Sequence, residues 1–317
     1  MSLEEAAKWI REKDDFLLVT HVHPDGDGLG AQSALYLALK RMGKKVRVAN
    51  RDPLPRCYHW LPFSESVETT DIVPPHEVCV TLDAGDLNRL RDGAKRSDYR
   101  LILNIDHHVS NARFGDLNWI DTASPATGEM VYRLLRAIGT EVDRDIAESI
   151  YTSLVTDTGA FKYSNTTPQC HRLAAELMEA GARVPLLCDR IFASVTPSAL
   201  QLLRISLGKL ATVEGGRIGV MTLSQADMQK TGATDEDTEN LVDFVRKMAG
   251  VEVAIFLKER PDGRYRLSLR SRNAADVSAV AAAFDGGGHR HAAGAVVDGP
   301  MEEAVRRVVA EVSRLIR

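Results

Sequence analysis

The sequence predicts an α/β protein in two parts. An N-terminal domain is built on a parallel sheet with helices on both faces, and a smaller α/β C-terminal domain carries a mixed sheet. Three observations carry this expectation. Residues 16–20, 78–82 and 101–105 are near-continuous apolar runs, as in strands covered on both faces. Helical periodicity alternates with them, first at residues 31–39. Beyond about residue 212 the pattern changes, and residues 264–270 alternate in polarity as a half-exposed strand does.

Taken in order, Ser2 and Glu5 form a capping box that opens a helix to about Lys13. Strand 16–20 runs into the polar stretch His21-Val22-His23-Pro24-Asp25-Gly26-Asp27-Gly28-Leu29-Gly30, and the helix after it is closed by Gly43. Residues 46–49 read as a second strand, and the proline-rich 52–75 as loop with a short helical piece. Strand 78–82 ends at Asp83, and strand 101–105 at Asp106-His107-His108. Helices follow at 128–138 and 144–155, the latter running into Thr156-Asp157-Thr158-Gly159, then at 168–180, 185–193 and 197–212. Strands 217–223 and 251–257 flank a polar helical piece at 235–248. Helix 277–284, a break at Gly286, Gly287 and Gly288, and a terminal helix at 301–317 complete the chain. The expected divisions are 1–190, a helical connector at 191–212, and 213–317.

Composition narrows the class. A net charge of −4 over 317 residues argues against coating long nucleic acid through a broad basic surface. It leaves room for a small anionic substrate in a local basic pocket. Residues 1–15 are polar and charged, so no signal peptide is expected, and no apolar run approaches the roughly 20 residues of a membrane span. Cys57, Cys79, Cys170 and Cys188 are scattered without a Cys-x-x-Cys pair, the usage of reduced thiols in a cytoplasmic protein with no membrane partner.

In an open parallel sheet, strand carboxyl ends share one edge. His21, Asp25, Asp27, Asp83, His107 and Asp157 are thus expected to converge there. A lone aspartate at such a position is ordinarily a cap or turn former; the number matters here. Four carboxylates together repel, and some must protonate unless cations balance them. Two divalent cations balance four carboxylates with both imidazoles neutral. No thiolate is present, and mixed carboxylate and imidazole ligands suit Mn²⁺, with Co²⁺, Fe²⁺ or Mg²⁺ as other choices. Two such ions, roughly 3.5–4 Å apart, activate a bridging water and clamp a phosphoryl oxygen, which points to phosphoester hydrolysis.

His21-x-x-Pro24-Asp25-x-Asp27, the strand-end Asp83, Asp106-His107-His108-x-x-Asn111 and Thr156-Asp157-Thr158-Gly159 resemble, in spacing and order, the four motifs of the DHH phosphoesterase superfamily. Gly286-Gly287-Gly288-His289-Arg290-His291-Ala292-Ala293-Gly294 is similar to the signature of the DHH-associated C-terminal domain. Within the superfamily the likeness is nearest to the short, two-domain bacterial nanoRNase and 3′-phosphoadenosine 5′-phosphate (pAp) phosphatase group. The resemblance implies one metal on His21, Asp25 and Asp83, and another on Asp27, Asp83, His107 and Asp157, with Asp83 bridging. It implies that His108 faces the substrate phosphate or acts as general acid, and that Asp106 orients an imidazole from behind. Asn111 is a substrate-binding candidate. His23 reads as a bystander, and His59 and His76 as solvated.

Beside His289-Arg290-His291 the three glycines read as an anion cradle, since glycine lets backbone N–H groups approach an anion closely. Arg270-Ser271-Arg272 ends the strand before it, and alternation puts Arg266, Arg270 and Arg272 on one face if the strand runs that far. By the family pattern Arg270 and His289 contact substrate, with Ser271, Arg272, Gly287 and Gly288 beside them. The expected activity is hydrolysis of short single-stranded oligonucleotides to mononucleotides, with pAp as a second substrate, in a homodimer. The alternatives are a cyclic-di-AMP or linear-dinucleotide phosphodiesterase on the same residues, and a catalytically inactive nucleotide-binding module. A pyrophosphatase is disfavoured, because pyrophosphate has no nucleoside for the glycine–histidine motif.

Overall fold

A computed structural model describes residues 2–193, 195–239, 241–272 and 275–316; the side chain of His289 lies outside the described residues. The chain divides into two compact units, Met1–Ser194 and Val195–Arg317.

In the first unit α1 (Leu3–Glu12) begins with the expected capping box, the Glu5 carboxylate accepting from the Ser2 N–H at 2.9 Å. Its last carbonyls meet a cation: Lys44 Nζ donates to the carbonyls of Arg11 at 2.8 Å and Lys13 at 2.6 Å. Then come β1 (Asp15–Thr20), α2 (Gly26–Arg41), β2 (Lys45–Asn50), β3 (Val67–Thr69), β4 (Val78–Leu82), β5 (Ile102–Asp106) and β6 (Leu117–Ile120). The strands form a parallel sheet in the order β3-β2-β1-β4-β5-β6. Strand order reverses between β1 and β4, and at such a reversal open α/β sheets leave a crevice at their carboxyl ends.

The helices α3 (Thr127–Ile138), α4 (Arg144–Asp157), α5 (Pro168–Glu179) and α6 (Val184–Cys188) complete this unit. Phe16, Leu18, Val80 and Leu103 pack beneath Leu35, Leu134 and Ile150 of α2, α3 and α4. The alternate residues Leu17, Val19, Cys79 and Ile102 face Leu90 and Tyr99, in a layer of loops and the 3₁₀ turns Leu87–Arg89 and Arg96–Asp98. That two-sided burial is why these strands are apolar throughout. Helices α2 and α4 approach closely at Gly30, where a Cβ would lie 2.7 Å from Ser153 N. Two strands of this unit were not foreseen. β3 falls inside 52–75 and β6 is a short run of mixed polarity; each exists through pairing with β2 or β5.

The second unit contains α7 (Pro197–Leu207), β7 (Ala211–Val213), β8 (Ile218–Leu223), α8 (Gln225–Thr231), α9 (Leu241–Arg246), β9 (Val253–Glu259) and β10 (Tyr265–Ser271). After them come α10 (Val277–Ala282), β11 (Gly287–His289), β12 (Ala292–Val297) and α11 (Met301–Leu315). Its mixed sheet runs β11-β12-β10-β9-β8-β7, with β8 and β9 parallel and the other pairs antiparallel. α10 and α11 cover one face through Val277, Val280, Val308 and Val312. α7, α8 and α9 cover the other through Leu202, Met228 and Val245. The helix expected to reach residue 212 stops at Leu207, because the chain turns after Gly208 and Ala211–Val213 pairs with β8.

The glycine triplet is not a break. Gly287 and Gly288 pair with Gly294 and Ala293 of β12, and a Cβ on Gly288 (φ 145°) would lie 2.6 Å from Ala293 Cα. The glycines permit this close approach. β10 ends at Ser271, so strand alternation places Arg266 and Arg270 on one face but does not extend to Arg272. Among the described residues no helix is long and apolar enough to cross a membrane, and the four cysteines are free thiols.

Candidate metal centre

The loop after β1 is held from two sides. Val22 N donates to the Arg89 carbonyl at 2.6 Å, and His23 N donates to Asp52 Oδ2 at 2.7 Å. The second bond supports His23 in a left-handed conformation (φ 54°), which is unusual for a residue with a Cβ. His23 therefore shapes the loop. Asp25 caps α2, accepting from Asp27 N at 3.0 Å and Gly28 N at 3.2 Å, while its Oδ1 stands 3.7 Å from His21 Nε2. Capping and membership of the cluster coexist in one carboxylate.

Asp27 caps a different helix. The N-cap of α3 is Ala126, which has no side-chain acceptor. Asp27 fills the vacancy from α2, accepting from Thr127 N at 2.8 Å, Gly128 N at 3.2 Å and the Ser153 hydroxyl. Thr127 and Ser153 escaped the sequence reading because their role arises between distant segments. The one available signal was a helix start lacking its own cap.

Asp83 takes a left-handed conformation (φ 58°) at the end of β4 and divides its oxygens. Oδ2 is 3.4 Å from His21 Nε2, and Oδ1 is 3.6 Å from His107 Nε2. His107 Nε2 is also 3.4 Å from Asp27 Oδ2 and 3.6 Å from Asp157 Oδ2. Ligand atoms thus group as His21, Asp25 and Asp83; as Asp27, His107 and Asp157; and as Asp83, His107 and His108, each set within 4.8 Å. All six sequence-predicted ligands meet.

The two imidazoles present the same nitrogen to the cluster. His21 Nδ1 lies 2.8 Å from the Val22 carbonyl and His107 Nδ1 lies 3.1 Å from the Ser124 carbonyl. A carbonyl only accepts, so each Nδ1 carries a proton, and Nε2 is the atom turned toward the carboxylates, a lone pair when the ring is neutral. The donor set therefore fits divalent cations.

Without cations the charges conflict. Burial and then the charge of Asp83 hold the Asp27 carboxyl well above the usual range. Burial pushes Asp157 up to about 7, against the attraction of His107. Burial opposes charge on His21 and His107, yet the neighbouring carboxylates prevail and raise both imidazoles.

His108 is built differently. Its Nδ1 is 2.7 Å from Asp106 Oδ1, and burial is outweighed by that bond and by Asp83, so it rises to about 9. Asn111 Nδ2 donates to Asp106 Oδ2 at 2.5 Å and to Asn104 Oδ1 at 2.9 Å. The structure turns this amide toward Asp106. Asn165 Nδ2 reaches the Asp157 carbonyl at 3.1 Å. His59 is exposed, whereas His76 is half-buried rather than solvated, with Nδ1 2.7 Å from the Pro74 carbonyl.

In the second unit Arg270 and Arg272 are half-buried and Gly287 and Gly288 are exposed. The Ser271 hydroxyl donates to the Ala275 carbonyl at 2.7 Å and lies 3.0 Å from His291 Nδ1, so its oxygen is engaged within this unit. His289 contributes its backbone to β11.

A parallel sheet whose switch point gathers four aspartates and three histidines defines an α/β protein with a centre suited to divalent cations. Residues 15–154 match the DHH family, N-terminal domain, and residues 215–317 match the DHHA1 domain. The chain belongs to this family of DHH/DHHA1 phosphoesterases. It is 35% identical over 294 residues to the bifunctional oligoribonuclease and PAP phosphatase NrnA of Thermus thermophilus, covering 92% of this chain and 87% of that one. It is 27% identical over 301 residues to the protein of the same name from Bacillus subtilis, covering 92% of each. The crystal structure of an exopolyphosphatase-related protein from Bacteroides fragilis is similar with a TM-score of 0.93 at 26% identity, covering 98% of this chain and 95% of that one.

Proposed function

We propose that the chain is a Mn²⁺-dependent phosphoesterase that hydrolyses short oligonucleotides to mononucleotides and pAp to AMP. The observation that carries this reading is Asp83, whose two oxygens face the Nε2 atoms of different histidines at 3.4 and 3.6 Å. A carboxylate so placed is suited to two cations at once. The relatives named as oligoribonuclease and PAP phosphatase, aligned over nearly their whole lengths, support the choice of substrate.

In this reading His21, Asp25 and Asp83 hold one ion, and Asp27, Asp83, His107 and Asp157 the other. Bound there, divalent cations lower the pKa of water and polarise a phosphoryl oxygen. The remaining work falls to side chains. His108, raised by Asp106, carries a proton near neutral pH and delivers it to the departing ribose oxygen as a water oxygen bonds to phosphorus and the P–O bond to the ribose breaks. Asp106 fixes the ring, and Asn111 fixes Asp106. Arg270, Ser271, Arg272, Gly287, Gly288 and His289 are proposed substrate contacts, the arginines through forks that match phosphate oxygens.

End-labelled RNA and DNA dinucleotides and pentanucleotides, pAp and cyclic di-AMP, each incubated with Mn²⁺, test the proposal. Mononucleotides from the dinucleotides and AMP from pAp are expected. Turnover confined to cyclic di-AMP, or none with any divalent metal, contradicts it.

A further inference from the structure

Arg89 stands at the edge of the cluster with its charge uncommitted. Its backbone is locked: its carbonyl accepts from Val22 N at 2.6 Å, and its N–H donates to the Asp86 carbonyl at 3.1 Å. Those bonds tie the turn after Asp83 to the loop carrying His21. The side chain is exposed, and Nη2 lies 3.4 Å from His21 Nδ1. That nitrogen already gives its proton to the Val22 carbonyl, so guanidinium and imidazole present donor to donor. No carboxylate pairs with Arg89 among the described residues, whereas Arg91 and Arg96 in the same loop pair with Asp98 and Asp116. A cation beside a histidine that cannot accept from it, with no carboxylate ion pair among the described residues, is explained by an anion that arrives later.

We infer that Arg89 is a phosphate-binding residue, its guanidinium taking non-bridging oxygens of the substrate phosphoryl group beside the His21 half of the centre. This rests on the phosphoester chemistry proposed above and adds to it a residue outside the ligand set. Arginine suits the task because its fork matches two phosphate oxygens at once. The substitutions that probe it leave the backbone bonds of residue 89 in place.

The test uses inorganic phosphate as the probe, titrated calorimetrically into the Mg²⁺-loaded protein, with Mg²⁺ affinity measured separately. Arg89→Met is expected to bind phosphate roughly 10- to 100-fold more weakly with Mg²⁺ affinity unchanged. Arg89→Lys recovers part of the loss. Equal phosphate affinity in wild type and Arg89→Met, or no phosphate binding by wild type, overturns the inference. If phosphate binding depends on Arg89 but no phosphoester is turned over, the anion site stands and the hydrolase reading falls.

Discussion

Nε2 of His21 lies 3.4 Å from Oδ2 of Asp83, although the two residues end different strands. They meet because β1 and β4 are neighbours in the sheet, at the point where strand order reverses. The other oxygen of Asp83 faces His107, so this carboxylate is the side chain that the two halves of the proposed centre share. Asp83→Ala is expected to lower turnover by roughly 10³-fold or more, because several kcal/mol of charge stabilisation depend on the centre. Circular dichroism and the thermal midpoint report whether the variant stays folded. A folded variant with near-wild-type turnover in saturating Mn²⁺ removes Asp83 from its shared role.

The metal-free protein should lose stability as pH rises from about 5 to 8. Asp157, pushed up to about 7, and His108, raised to about 9, keep protons in the folded chain that the unfolded chain has released. Raised groups of either kind contribute stability below their unfolded pKa, and that contribution fades as pH climbs through the folded value. Asp106 is lowered and matters only in more acidic solution. Because a cation displaces the proton of the ligand Asp157 while His108 keeps its own, the stabilisation by Mn²⁺ should grow with pH up to about 7. Thermal melts in EDTA and in Mn²⁺ at several pH values check both trends; a metal effect independent of pH contradicts them.

Ser153→Ala tests the support behind Asp27. The substitution leaves the bonds from Thr127 N and Gly128 N but removes the hydroxyl donor. Affinity for the ion assigned to Asp27, His107 and Asp157 should fall roughly tenfold, while the other ion binds as before. Calorimetric titration with Mn²⁺ separates the two steps, and an unchanged isotherm would leave Ser153 no part in the centre.

Gly30→Ala should destabilise, although alanine is the better helix former by about 1 kcal/mol. The added Cβ would lie 2.7 Å from Ser153 N, and neither backbone can give way without separating α2 from α4. Overpacking of this kind costs about 1–3 kcal/mol. The urea midpoint measures it, and an increase would mean that the helices part easily.

Much of this architecture was legible because burial writes itself into sequence. β1, β4 and β5 are apolar on both faces, so their runs stood out, and the polar residues at their ends announced a shared edge. β3, β6 and β12 were missed for the opposite reason. β3 is only Val67–Thr69 and exists through pairing with β2, and the small residues of Ala292–Val297 read as loop beside three glycines. The six candidate ligands were visible as residue types in a repeated position. Their supports were not: Asp52, Ser153 and Thr127 act across long sequence separations, and nothing local marks them.

Metal stoichiometry shows whether Asp83 serves two ions. Wild type and Asp83→Ala are to be loaded with Mn²⁺, desalted and assayed for bound ions per chain by mass spectrometry. Two ions are expected on the wild type, with loss of tight binding at both positions in the variant, because Asp83 would serve each. A single ion on the wild type, or two ions retained by Asp83→Ala, would contradict it.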